Sequence, residues 1–132
     1  MASDTFDPTV VKGDTLRWQM VLTNSSGTTY DLTGITLIMQ VRKSYYPGPL
    51  LFQATLGVTA GSQLYTLDGI TGGISALGTA GTCNIAIGSN YTINFSEYTG
   101  AYYDIQAIQP NNAGVDTLLR GKINVLPDVT EI

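Results

Sequence analysis

The sequence predicts an all-β fold: one β-sandwich domain over residues 1–132, built mostly of antiparallel strands. Apolar residues alternate with polar ones in two well-patterned blocks, one near each end of the chain. This alternation is typical of half-buried strands, because successive side chains point to opposite faces of a sheet. Glycines punctuate the middle every few residues, and short strands separated by turn signals favour a sandwich or a barrel. No stretch carries the apolar spacing of a helix.

The first block predicts two strands joined by a turn or short loop. Gly13-Asp14 is a turn signal, and apolar side chains occupy every second position over residues 16–22. A second alternation covers residues 35–41, where the apolar Ile38 interrupts the polar face and indicates that this face is partly covered. Trp18 shares the phase of the apolar set, so we expect it in the core, where truncation of a buried Trp costs about 3–5 kcal/mol.

The middle of the chain predicts shorter strands. Pro47-Gly48-Pro49 breaks the pattern, and a strand is expected over residues 50–56. Further short strands are expected at 63–67, 73–77 and 82–87. The last of these contains the lone Cys83, which we interpret as a small core residue. Residues 90–99 are expected to form a connector with one helical turn.

The last third predicts a long hairpin. Alternating residues over 102–108 and 118–125 flank a Pro-Asn-Asn-Ala-Gly loop at 110–114. We expect these strands to meet those of the first third across the weakly patterned middle and so to close the sandwich. Residues 1–8 and 127–132 are expected to be short flexible arms that become ordered on neighbouring proteins.

The composition limits the classes of partner. Charged residues make up 12% of the chain, about half the usual share of roughly 25%. Uncharged polar groups cost less to desolvate than ions, so such a surface tolerates close contact with protein. The net charge is −4, and the six basic residues are too few for a nucleic-acid footprint. We interpret them as solvated strand faces. No signal-peptide pattern and no membrane-spanning apolar run occur, so no membrane partner is expected.

The sequence predicts neither an enzyme nor a metal or cofactor site. It contains no histidine, which removes the usual nucleophile–base pairs and most zinc sites. Asp104 lies mid-strand on the polar face, where Arg17, Arg42 or Arg120 is a candidate partner. A calcium site at Asp14 and Asp31 has no supporting spacing. We therefore expect no catalytic residues.

The two patterned blocks carry a resemblance. The first block resembles the N-terminal domain of phage baseplate upper proteins. The resemblance covers residues 12–15, the strand that follows, and the segments 30–34 and 39–42. The closing segments, residues 103–105, 118–125 and 128–130, are similar to the last strands of such modules. The middle, residues 57–99, matches worst.

The resemblance implies an immunoglobulin-like sandwich in a tailed-phage particle that is assembled in the cytoplasm of the bacterial host. Its partners would be other baseplate, tail or capsid proteins, arranged in multiple symmetric copies. Larger relatives continue into further domains beyond the position of residues 129–130, so a free-standing adaptor is expected. The Gly-rich segment 57–90 is expected to hold the specificity for the partner.

Three functions follow as hypotheses. The first is a structural virion protein, a tail, baseplate or fibre-attachment adaptor. The second is a capsid decoration, or cement, protein, which its copy number would distinguish. The third, from another class, is a carbohydrate-binding module of a tail fibre that stacks sugars on tyrosines; the candidate residues are Tyr45, Tyr46, Tyr91, Tyr98 and Tyr102.

The predicted interface combines rigid loop residues with an outward tyrosine. Aromatic and proline side chains lose little entropy when they dock against a partner. The predicted interface residues are Tyr45, Tyr46, Pro47, Pro49 and Tyr102.

Overall fold

A computed structural model describes residues 4–23, 27–28, 31–44, 48–59, 72–77 and 81–127. Within these ranges the chain forms nine strands, one short α-helix and one 3₁₀ turn. In chain order they are β1 (Asp4–Thr5), β2 (Thr9–Val11), β3 (Leu16–Val21), β4 (Thr36–Arg42), β5 (Leu50–Gly57), β6 (Gly73–Leu77), β7 (Thr82–Ile87), α1 (Ser89–Thr92), β8 (Ala101–Ile108), the 3₁₀ turn Pro110–Asn112 and β9 (Val115–Leu126).

The described strands form two sheets. The larger has the order β1-β9-β8-β4-β5, with β2 also along β9, and the smaller has the order β3-β7-β6. Neighbouring strands are antiparallel, except that β1 and β2 run parallel to β9. The predicted all-β sandwich is confirmed.

The expected closure of the sandwich is confirmed by the pairing of β4 with β8. Met39 lies opposite Ile105 in this antiparallel pair, so a first-third strand and a last-third strand are direct neighbours. The predicted hairpin also forms, because β8 pairs antiparallel with β9. The expected strands at 73–77 and 82–87 are β6 and β7. The strand expected at 63–67 lies outside the described residues.

Two features differ from a simple reading of the alternation. The two strands of the first block, β3 and β4, lie in different sheets, so the chain crosses the sandwich between them. Part of the segment expected as an N-terminal arm, Asp4–Thr5, forms β1 beside β9. Alternation identifies a strand and its buried face, but it does not identify the strand beside it.

The core lies between the two sheets. Along β8 the odd-numbered residues are buried and the even-numbered residues are half-buried, as the alternation predicts. Trp18 is only 9% exposed, with its ring 5.7 Å from that of Phe6 and 5.4 Å from that of Tyr103. The predicted core position of Trp18 is confirmed. Its indole Nε1 is buried and finds no hydrogen-bond partner among the described residues, so the apolar packing of the ring outweighs one unsatisfied donor.

Strand β7 is buried along both faces. Cys83 is fully buried; on the opposite face Ala86 is fully buried and Asn84 is buried. The side chain of Asn84 is satisfied there, because Gln19 Nε2 donates to its Oδ1 at 2.9 Å. Burial raises the pKa of the Cys83 thiol to about 12, in agreement with its predicted role as a small core residue.

The N-terminal segment crosses β9 at a glycine. Phe6 N donates to the carbonyl of Arg120, and Asn124 N donates to that of Pro8. Between these bonds, the Asp7 carboxylate accepts from Lys122 N at 2.9 Å. A Cβ at Gly121 would collide with the Phe6 carbonyl oxygen and lie 2.7 Å from Asp7 Oδ1. The missing side chain therefore lets the N-terminal segment approach the sheet closely.

Candidate functional site

The outer face of the larger sheet carries a groove lined mostly by polar side chains, which we call the polar groove. Its volume is about 780 Å³, and it is lined by residues of β1, β4, β8 and β9 and by Asp7 and Ser44. The core-facing residues of these strands are apolar, so the even-numbered positions of β4, β8 and β9 are left for the groove. A concave site of this size is in the usual range for small ligands.

Strand register places the groove side chains in rows. Arg42 lies opposite Tyr102, and Tyr102 lies opposite Lys122. In the adjacent row, Gln40 lies opposite Asp104, which lies opposite Arg120. Opposed side chains on one face of a sheet are close neighbours. Each row therefore brings residues of β4 and β9 that are 80 positions apart in the sequence onto one surface.

A chain of hydrogen bonds runs across the β4–β5 side of the groove. Arg42 Nη1 donates to the carbonyl of Gly48 at 2.8 Å, and its Nη2 donates to Gln40 Oε1 at 2.9 Å. Gln40 Nε2 in turn donates to Gln53 Oε1 at 3.0 Å. These bonds fix the guanidinium and both amides in place and join the groove to the β4–β5 hairpin.

Asp104 is the half-buried carboxylate of the groove. Gln106 Nε2 donates to its Oδ2 at 3.4 Å. Burial raises the pKa of the Asp104 carboxyl, and the positive charge of Arg42 opposes that shift. Of its three predicted partners, Arg42 interacts electrostatically, Arg120 lies opposite in register, and Arg17 lies in the other sheet.

The groove gathers three of the six basic residues of the chain: Arg42, Arg120 and Lys122. The Lys122 ammonium lies 5.9 Å from the centroid of the Tyr102 ring, within cation–π distance. The interpretation of these cations as solvated strand faces did not single out the groove that they share. The sequence contains a signal for this face, because Arg42 lies two positions after Gln40 and Lys122 two positions after Arg120, and such residues point to the same face of a strand.

A second candidate surface lies at the end of the sandwich where α1 is found, here named the α1 end. Strands β2, β4, β7 and β9 finish there, and β3, β5 and β8 begin there. Eight large apolar side chains are exposed in the described ranges, and five of them belong to the α1 end. They are Leu50, Tyr91, Ile93, Tyr98 and Leu126.

Packing holds the α1 end in place from beneath. The buried Thr92 donates its hydroxyl to the carbonyl of Asp14 at 2.6 Å. The ring of Tyr91 meets the buried ring of Phe52 edge-on, with centroids 4.8 Å apart. The Cδ1 atom of Ile93 packs over Gly13. This surface is therefore anchored to the core while its outer side chains face solvent.

The predicted interface residues are only partly described. Tyr45, Tyr46 and Pro47 lie outside the described residues. Pro49 is exposed, and its carbonyl accepts from Lys43 N at 2.9 Å to close the hairpin. Tyr102 is half-buried in the polar groove, at the edge nearest the α1 end. The structure thus places Pro49 and Tyr102 at the same end of the larger sheet.

The carboxylate of Asp31 bonds to the backbone of its own turn. Asp31 Oδ1 accepts from Thr33 N at 2.9 Å, and this bond lowers the pKa of Asp31. In the described part of the chain, no three His, Cys, Asp or Glu side chains form a group that could hold a metal ion. No helix within the described ranges has the length and apolar character needed to cross a bilayer.

No family model matches the chain, and no curated protein matches its sequence. Inferences about function therefore rest on the fold, the polar groove, the α1 end and the resemblance noted above.

Proposed function

We propose that this chain is a non-catalytic structural protein of a tailed-phage particle. In this proposal it is an adaptor in the tail or baseplate, present in multiple symmetric copies and assembled in the cytoplasm of the host. It binds a neighbouring virion protein through the α1 end. The observation that carries the proposal is the concentration of exposed apolar side chains at that end.

The chemistry of the α1 end suits a protein partner. Tyr98 is 90% exposed and Ile93 is 50% exposed, and burying such side chains against a partner is favourable because it removes apolar surface from water. Exposed apolar surface gathered in one region is typical of interaction sites, and tyrosine is enriched in interfaces.

The rigidity of the α1 end also favours docking. Thr92 and Tyr91 are fixed to the core by the contacts with Asp14 and Phe52. A surface that is already ordered loses little conformational entropy when it binds. The low share of charged residues in the chain supports the same proposal, since few ions need to be desolvated in an interface.

Quantitative mass spectrometry of purified particles tests this function. Particles from the phage that encodes the chain are banded in a density gradient, and the copy number is measured against a tail protein and the major capsid protein. A ratio near that of the tail protein supports the adaptor. A ratio near that of the capsid protein identifies instead a decoration protein, the same-class alternative. Absence of the chain from intact particles contradicts both.

A further inference from the structure

We propose that the polar groove is a binding site for an acidic saccharide, a sugar chain that carries carboxylate groups. The groove lies on the outer face of β4, β8 and β9, whereas the proposed assembly surface is the α1 end. The two proposals therefore use different side chains, and each can be tested without the other.

The charge distribution points to an anionic ligand. The chain has a net charge of −4, yet three of its six cations line this one groove. Against these three stand Asp7 and Asp104, and the Asp7 carboxylate already accepts from the Lys122 backbone. The exposed Arg120 presents a planar fork of donors that matches a carboxylate.

The amides of the groove suit sugar hydroxyls. Gln40 and Gln106 line the groove, and each amide has two N–H donors and a carbonyl with two lone pairs. Their observed bonds to Gln53 and Asp104 use only part of that capacity. A sugar hydroxyl both donates and accepts, so one amide can pair with adjacent hydroxyls. Arg42 holds Gln40 in position before any ligand arrives, which lowers the entropic cost of binding.

The apolar parts of the groove complete the match. Ile38 lines the groove, and Tyr102 lies in the row between Arg42 and Lys122. Sugar rings present C–H faces as well as hydroxyls, and aliphatic and aromatic side chains contact such faces favourably. Ile38, which interrupted the polar alternation of its strand, thus has a place in this site.

An acidic peptide fits the groove less well. Extended peptides are commonly held by main-chain hydrogen bonds at a free sheet edge. On the face formed by β4, β8 and β9, the backbone groups already pair within the ladder, so only side chains are offered. The main-chain donors and acceptors of a peptide would be poorly matched there.

Calorimetric titration of the full chain with tetragalacturonate tests the proposal. The matched probe is its methyl-esterified form, which keeps the sugar backbone but removes the carboxylate charge. We expect tetragalacturonate to bind at least about tenfold more tightly than the ester, and added salt to weaken its binding. Arg120→Gln should reduce the affinity about tenfold or more. Arg17→Gln, the same charge change on the smaller sheet, should leave it unchanged.

Several outcomes would overturn the saccharide site. These are no binding at millimolar concentration, equal binding of the ester, or equal loss in the Arg17 and Arg120 variants. Tighter binding of hexa-aspartate than of tetragalacturonate would replace the saccharide with an acidic peptide. Thermal melting verifies that the Arg120 variant is folded, and Lys122→Gln provides a second test in the same groove.

Discussion

The hydroxyl of Tyr103 donates a hydrogen bond to the backbone carbonyl of Phe6 at 2.7 Å, 97 positions earlier in the chain. In the pairing of β8 with β9, Tyr103 lies opposite Gly121, the residue over which the N-terminal segment crosses. Burial, together with the negative charge of Asp7, raises the pKa of Tyr103, so the phenol stays protonated as a donor. One side chain thus fastens the first described residues to the centre of the larger sheet.

Tyr103→Phe should destabilise the fold by about 1 kcal/mol, because one part-buried hydrogen bond is lost and the Phe6 carbonyl is left without it. Urea denaturation gives the free energy of unfolding. Hydrogen exchange at the Phe6 amide, which bonds to Arg120, should become faster. Tyr98→Phe is the matched control, since Tyr98 is 90% exposed, and its effect should stay within about 0.5 kcal/mol. Unchanged exchange at Phe6 in the Tyr103 variant would show that the bond does not hold the segment.

Gly121→Ala should displace the N-terminal segment from β9. The added methyl collides with the Phe6 carbonyl oxygen, and overpacking of this kind costs about 1–3 kcal/mol. Trp18 fluorescence should change as well, because the Phe6 ring packs on the indole. Gly57→Ala is the control, as a Cβ there meets nothing within 4 Å. Equal stability of the two variants would contradict the close crossing at Gly121.

The double variant Tyr98→Ser, Leu126→Ser should fold normally but enter particles poorly. Both side chains are exposed at the α1 end, so their loss removes contact area from the proposed interface rather than from the core. Incorporation is measured by complementing a phage that lacks the gene and quantifying the chain in purified particles. Val115→Ser is the control, because Val115 is 59% exposed at the opposite end of the sandwich. Wild-type incorporation of the double variant would exclude the α1 end as the docking surface.

The sequence patterns predict the strands better than they predict the surfaces. Strands β6 and β7 appear at the expected residues because alternation and turn signals are local properties. The placement of β3 and β4 in different sheets depends on long-range pairing, which periodicity does not encode. The groove was not predicted for the same reason: Arg42 and Lys122 lie on one face, on either side of Tyr102, only through the register of β4, β8 and β9. The alternation also does not predict that both faces of β7 are buried. A polar residue such as Asn84 is typical of a surface position, and its burial depends on the hydrogen bond that Gln19 donates from the neighbouring strand.

Cys83 should resist thiol reagents in the folded protein. Its side chain is fully buried, and burial raises its pKa to about 12, so the reactive thiolate is scarce near neutral pH. Labelling with a chromogenic disulfide reagent should be slow in buffer and become fast as urea unfolds the chain. Labelling in concentrated guanidinium supplies the control and should give one thiol per chain, since Cys83 is the only cysteine. Complete labelling within minutes under native conditions would contradict the buried position.

Asp104→Asn and Asp31→Asn should shift stability in opposite directions at neutral pH. The pKa of Asp104 is raised by burial, so ionisation opposes folding, and stability is lost as the pH rises through its folded-state pKa. The Asn variant avoids this loss and should gain stability at pH 7, by less than about 1 kcal/mol because water screens a half-buried group.

The pKa of Asp31 is lowered by the hydrogen bond from Thr33. Its carboxylate therefore contributes stability that is present above the unfolded-state pKa and is lost as the pH falls through the folded-state value. The Asn variant should be less stable than the wild type at pH 7. Urea denaturation between neutral and acidic pH should show both differences shrinking as the two carboxyls become protonated. If Asp104→Asn were destabilising at pH 7, attraction to Arg42 would outweigh the burial of Asp104, and the assignment of the dominant cause would be wrong.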